Sequence, residues 1–256
     1  MASTVTAMPA RMSAEEWQTR CDLAACYRLV DLFGWSDLIN TRITARVPDS
    51  DGHFLINRYG LLFDEVTASS LVKIDREGNK VEPSDYEVNS GGFAIPSAVH
   101  MARSEIACVL HTHSIAGCAV SMQQDGLLPL NQHALQIIAD VAYHDYEGTG
   151  RNPEERARLL ADFGDRHIMV LRNHGLLIVG TSIAAAFVAT YRMERACAMQ
   201  LAFRQSGAEF HPINDDVVRA AYDNVRSRLA GRNDPTRSEW PALLRKLDRI
   251  DPSYKE

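Results

Sequence analysis

CVLHTHS, residues 108–114, closes an apolar run that starts at Ile106 and has the length and character of a buried β-strand. Successive residues of a strand face opposite ways, so His111 and His113 project from one face. Their imidazoles can then reach a common point. A second apolar segment, HIMVLRNHG (167–175), reads as another buried strand ending in a turn. Asn173 precedes its His174 and Gly175 follows it, and a glycine there lets the backbone turn sharply. Three histidines at two strand ends form a set that can bind Zn²⁺, Mn²⁺ or Fe²⁺ and leave positions open for substrate. Spacing alone does not decide this, because HxH is short and His174 also suits a plain turn.

Outward from this strand the chain alternates between helical and extended periodicity. Ser13 with Glu16 fits a capping box that opens a helix running to about Phe33, with Trp17, Cys21, Ala24 and Leu29 on its apolar side and Gly34 as its stop. Residues 40–47, 53–59 and 70–75 read as strands, and REGN (76–79) as a hairpin turn. A helix is expected over Ser97–Arg103, with Pro96 just before it. SIAGCAVSMQQ (114–124) and EERARLLADFG (154–164) read as further helices. LLIVG (176–180) pairs as a hairpin with the strand before it. A long helix from about Ser182 to Gln205 stops at Gly207, and helices around 214–230 and 238–248 finish the chain. Hairpins with interspersed helices indicate a mixed or antiparallel sheet covered by helices.

The totals narrow the classes of function. The 256 residues include 46% hydrophobic and 23% charged residues, an ordinary globular composition. A core of that size forms without disulfides or metals, so a bound metal is expected to do chemistry. The net charge of −6 has no run of one sign, which argues against a nucleic-acid groove or an anionic membrane surface. No stretch reaches the roughly 20 apolar residues of a membrane span, and the N-terminus lacks a signal-peptide core. The five cysteines lie in apolar stretches without a CxxC pair, as core residues of a reducing compartment do. A cytoplasmic location is the resulting expectation.

The blocks ACVLHTHSIAGCAVSMQQDGLLPLNQHALQIIADVAYHDYEG and LRNHGLLIVG, with DLINTRITARVP and INRYGLLFDEVTAS upstream, resemble the class II aldolase/adducin family in the right order. The run from GLLPL through VAYHDYEG is similar to its adducin-like branch. The resemblance covers roughly Trp17 to Gly207. It implies an α/β fold: a single-domain α/β/α sandwich around a mainly antiparallel (mixed) sheet. The residues themselves place that one domain at 13–256, after a flexible tail at 1–12. The resemblance also implies a homotetramer, with the helices from about 214 placed at a subunit interface, and one divalent metal ion per subunit (Zn, Mn or Fe). Residue by residue, the family's metal-binding histidines match His111, His113 and His174.

The sequence departs from the family's sugar-phosphate aldolases. Those carry a glutamate four residues before a histidine resembling His100, and here that position is Pro96, which has no titratable group. Their phosphate-binding Gly-Asn loop and serine pair are replaced by NTRITAR and GGFAIP, and an apolar FAIP segment does not suit a phosphate dianion. The expected substrate is therefore a small carboxylate or carbonyl compound. Decarboxylation needs only protonation of a carbanion, so the missing glutamate affects it less than aldol cleavage.

Each remaining candidate also suits an ordinary structural role. His133, in NQHALQ, can donate a proton near neutrality or can be a loop histidine. Arg42 alternates with Arg46 on a strand and can grip a carboxylate or face solvent. Tyr143, in the YHDY run, can line a pocket or a subunit interface. His100 reads as a hydrogen-bonded core histidine. Three functions stay open: a metal-dependent lyase, a non-catalytic adducin-like scaffold, and a non-haem iron oxygenase. Against the scaffold, the expectation is that it would not require all three histidines together and would carry an extended, Lys-rich terminal segment of the adducin kind, which this sequence does not show.

Overall fold

The computed structural model describes residues 12–50, 52–88, 93–148, 153–229 and 237–256. Of the expected tail over 1–12 only the last residue falls among these, and Gly91 and Gly92 of GGFAIP lie outside them.

Helix α1 (Ala14–Leu32) is capped by Ser13, whose hydroxyl accepts from the Glu16 N–H at 3.1 Å. Only half of the expected capping box forms. The Glu16 carboxylate turns away to accept from Arg20 and from Lys73, at 2.9 and 2.8 Å, which ties the helix to the sheet. Burial works to raise the Glu16 carboxyl, but hydrogen bonds from these two cations prevail and hold it below its ordinary range.

Among the described residues seven strands make one sheet: β1 (Arg42–Arg46), β2 (Phe54–Ile56), β3 (Val72–Ile74), β4 (Cys108–Thr112), β5 (Val141–His144), β6 (Ile168–Leu171) and β7 (Gly175–Gly180). Their order is β3-β2-β1-β4-β7-β6-β5. Every neighbouring pair is antiparallel except β5 and β6, which are parallel. The histidine strand β4 is therefore central, buried on both faces, as its continuous apolar run requires. The expected turn at 76–79 forms, but the chain beyond it touches β3 through a single bridge, Ile74 to Lys80.

Helices cover both faces. On one side α1, α3 (Ile115–Ser121), α6 (Ile183–Ser206) and α8 (Glu239–Ile250) enclose cores built on residues such as Leu29, Ile43, Leu110, Phe187, Ile178 and Met193. On the other, α2 (Ala94–Ala102) and α5 (Pro153–Phe163) bury Val99, Val109, Phe163, Met169 and Leu177. The short α4 (Gln132–Leu135) and α7 (Asp215–Leu229) pack near the β5 edge. The architecture is the expected α/β/α sandwich.

Among the boundaries that differ from expectation, two bear on the site. Helix α2 begins at Ala94, so Pro96 stands inside its first turn, where a missing N–H leaves no helical bond unmade. β6 ends at Leu171, and His174 sits in the turn to β7, its N–H bonded to the Leu171 carbonyl at 3.1 Å. That turn passes through Asn173 at φ +58°. Gly175 is needed for a different reason from the one expected. A Cβ there would stand 2.4 Å from the Thr112 carbonyl oxygen and 3.2 Å from the His113 ring, so only glycine lets β7 approach β4 this closely.

Candidate metal centre

Register brings the histidines together. In β4 the odd positions, Val109 and His111, face α2, and the even positions, Leu110 and Thr112, face α1 and α6. His111 lies opposite Leu177 of β7 and Arg42 of β1. His113 continues the same parity past the strand end, and the β6–β7 turn carries His174 over it. The Nε2 of His113 lies 3.0 Å from that of His111 and 2.9 Å from that of His174. Ligand atoms of all three lie within 4.8 Å of one another, and no other such group of His, Cys, Asp or Glu occurs among the described residues.

The outward nitrogens of two rings are fixed. His111 Nδ1 donates to the Leu176 carbonyl at 2.8 Å, and His113 Nδ1 donates to Asp37 Oδ2 at 3.0 Å. Each neutral ring then presents an Nε2 lone pair, the arrangement by which a partner on Nδ1 orients a metal-bound imidazole. Lone pairs 3.0 Å apart repel unless a cation lies between them. Nitrogens about 2.0–2.1 Å from one ion sit about 3 Å apart, so the donor set fits a single divalent ion. Burial is the main cause that depresses His111, to about 3, with His113 and His174 adding to it. Burial and then His113 bring His174 to about 4. All three rings are half-buried, so one side of the group opens outward.

Sequence reasoning missed Asp37, which lies 76 residues from His113 in a loop with no periodicity. The same loop is bent: Leu38 has φ +49° and Thr41 has φ +64°, a conformation that a β-branched residue rarely adopts. Thr41 Oγ1 is buried without a hydrogen-bond partner among the described residues. Behind β4, Glu194 of α6 accepts from Ser114 at 2.6 Å and from Thr112 at 3.5 Å, bracing both neighbours of His113. Burial pushes its carboxyl up to about 7.

The other expected residues fall in different places. Arg42 is the cross-strand neighbour of His111 on the adjacent β1, on the same sheet face, and is buried enough to lower its guanidinium below the ordinary value. His133 lies on α4 and lines a separate cavity of ≈400 Å³ with Phe33, Phe187, Tyr191 and Leu243. The Tyr143 hydroxyl accepts from the Leu127 N–H at 3.0 Å while Arg172 stacks 4.3 Å from its ring, and burial raises its pKa. Neither His133 nor Tyr143 joins the three histidines in this chain. His100 is a core residue, bonded to Thr44 at 3.0 Å and lowered to about 3 chiefly by burial. Tyr146 stands at the site instead, its ring 6.2 Å from that of His174.

Residues 21–201 match the family described as Class II Aldolase and Adducin N-terminal domain. An aldolase II superfamily protein from Pseudomonas syringae superposes with a TM-score of 0.91 at 44% identity, covering 96% of this chain and 98% of that one. L-fuculose 1-phosphate aldolase from Glaciozyma antarctica superposes with a TM-score of 0.81 at 25% identity, covering 98% of each chain. Alpha-adducin of Mus musculus is 46% identical over 245 residues, which is 90% of this chain but 33% of the adducin. With sequence and fold agreeing over most of its length, the chain belongs to the class II aldolase and adducin family.

Proposed function

We propose that the protein is a divalent-metal-dependent carbon–carbon lyase for a small carboxylate or carbonyl substrate, cleaving it by decarboxylation or retro-aldol reaction through an enolate. The observation that carries the reading is the convergence of three imidazole Nε2 atoms, two of them fixed as lone-pair donors by Leu176 and Asp37. His111, His113 and His174 would hold the ion, and three neutral ligands leave it its full positive charge. Bound there, it would supply an electrophile beside a developing oxyanion. Arg42, on the same sheet face as His111, is the proposed partner of a substrate carboxylate. Pro96 and the apolar segment around it favour a substrate without phosphate. The active form is proposed to be a cytoplasmic homotetramer.

The kinship with adducin supports a second reading, a self-associating scaffold without catalysis. Metal content separates the two. Protein purified without added metal is expected to carry close to one Zn, Mn or Fe per chain by plasma mass spectrometry. The His111→Ala/His113→Ala variant should lose it and keep its circular dichroism. Wild-type protein that is metal-free and takes none up on titration would overturn the lyase in favour of the scaffold. Iron with substrate-dependent oxygen uptake would point to an oxygenase.

A further inference from the structure

A small cavity of ≈50 Å³ opens beside His174, bounded by His144, Glu155, Tyr146, Arg172 and Ile95. Among the described residues, two of these each carry a buried polar atom with no hydrogen-bond partner: Nε2 of His144 and Oε2 of Glu155. Their residues are only 4% and 6% exposed. Leaving such an atom unmatched costs about 1–3 kcal/mol, so a fold that keeps two of them on residues lining one cavity calls for an explanation.

His144 ends β5 on the sheet face that also carries His111. Its other ring nitrogen, Nδ1, donates to Asp162 of α5 at 2.7 Å. This fixes the neutral tautomer and turns Nε2 away from Asp162. Glu147 Oε1 is 3.9 Å from Nε2, beyond hydrogen-bond reach, and Glu147 is itself held by Arg158. An oriented imidazole with a free Nε2 is the arrangement of a proton-transfer group. Ile95 places the first turn of α2 at the same cavity.

We propose that His144 is the residue that moves the proton in the lyase reaction, with Asp162 as its positioning residue. The assignment rests on the lyase reading. The carbon–carbon bond breaks and its electron pair stays on the carbon α to the carbonyl. The Nε2–H of the His144 imidazolium gives its proton to that carbon and leaves the neutral ring. The other fragment departs as CO₂, or as an aldehyde whose hydroxyl proton goes to solvent, and the ring takes a fresh proton from water. Run in reverse on a ketone or 2-oxo acid, the neutral Nε2 removes an α-proton and exchanges it with solvent. Glu155 Oε2 accepts a hydrogen bond from a hydroxyl or water in the same space.

Zinc-loaded protein in D₂O, incubated with pyruvate, dihydroxyacetone and hydroxyacetone, tests this by NMR of α-proton exchange. Wild type should exchange at least one probe above a protein-free blank. His144→Gln should lower that rate by about 100-fold or more, with KM and zinc content unchanged and partial rescue by added imidazole. Asp162→Asn should lower it about tenfold. A rate in His144→Gln within about threefold of wild type would overturn the assignment and leave the lyase standing. No exchange of any probe by wild type would sink the lyase reading, and this inference with it. Long-range ¹H–¹⁵N correlation gives a readout independent of activity: neutral His144 should carry its proton on Nδ1 in wild type and on both nitrogens in Asp162→Asn. If His144→Gln does not fold, Asp162→Asn and this spectrum decide. A wild-type ring protonated on Nε2 when neutral overturns the proposal whatever the rates.

Discussion

Glu194 puts a carboxyl in the core directly behind the histidine strand, and this side chain contributes its own term to the pH dependence of folding. Its pKa rises from 4.5 to about 7 through burial, so folding favours the protonated form. The sign follows. The contribution to stability is fully present below about pH 4.5 and is lost as the pH rises through about 7. The shift corresponds to about 3 kcal/mol for a group that is 3% exposed. Glu194→Gln, whose amide oxygen can still accept from Ser114, should therefore gain on wild type between pH 5 and pH 8 by up to this amount. Urea midpoints of metal-stripped protein at the two pH values measure it, and a constant difference between the variants would refute the buried-acid account.

The elements that matter for the site are the β4 end and the β6–β7 turn, and the contact between them is set by Gly175. Gly175→Ala would force the Thr112 carbonyl and the His113 ring apart, because neither backbone can yield cheaply at 2.4 Å. The expected cost is about 1–3 kcal/mol in stability, with at least a tenfold loss of zinc affinity by competition against a chelator. Zinc affinity equal to wild type would show that the approach of β7 to β4 does not position the ligands. These elements also show what the sequence discloses. The alternation that puts His111 and His113 on one side is written in a strand's period of two, and the long helices are written in theirs. Asp37 is not, because its tie to His113 crosses 76 residues between a loop and a strand end. Nor is the facing of Arg42 and His111, which depends on β1 pairing with β4 after two strands have intervened. The capping box at Ser13 was legible only by half, since Lys73 and Arg20 outcompete the helix N-terminus for Glu16. His174 falls in a turn, not at the end of a strand, because the chain leaves the sheet at Leu171.

For the whole molecule, ligand binding and folding are linked through the three histidines. A folded chain that binds zinc where the unfolded chain does not is stabilised by about 2.7 kcal/mol at free zinc one hundred times Kd. For a chain of this size that corresponds to a rise of about 5–10 °C in Tm. Scanning calorimetry with and without zinc should show the rise in wild type and none in His111→Ala/His113→Ala. An equal rise in both would place the zinc elsewhere. Among the described residues no helix is long and apolar enough to cross a membrane.

The separation of His113 and His174 along the chain, 61 residues, has a kinetic consequence. An ion gripping both would act as a removable cross-link across a long loop that includes α3, α4, β5, α5 and β6. Closing such a loop costs entropy that grows with the logarithm of its length, and the antiparallel β4–β7 pairing cannot begin until that cost is met. Refolding with the ion present would let the two histidine segments find each other before the intervening chain has packed. Refolding without it would leave that encounter to the apolar strands alone.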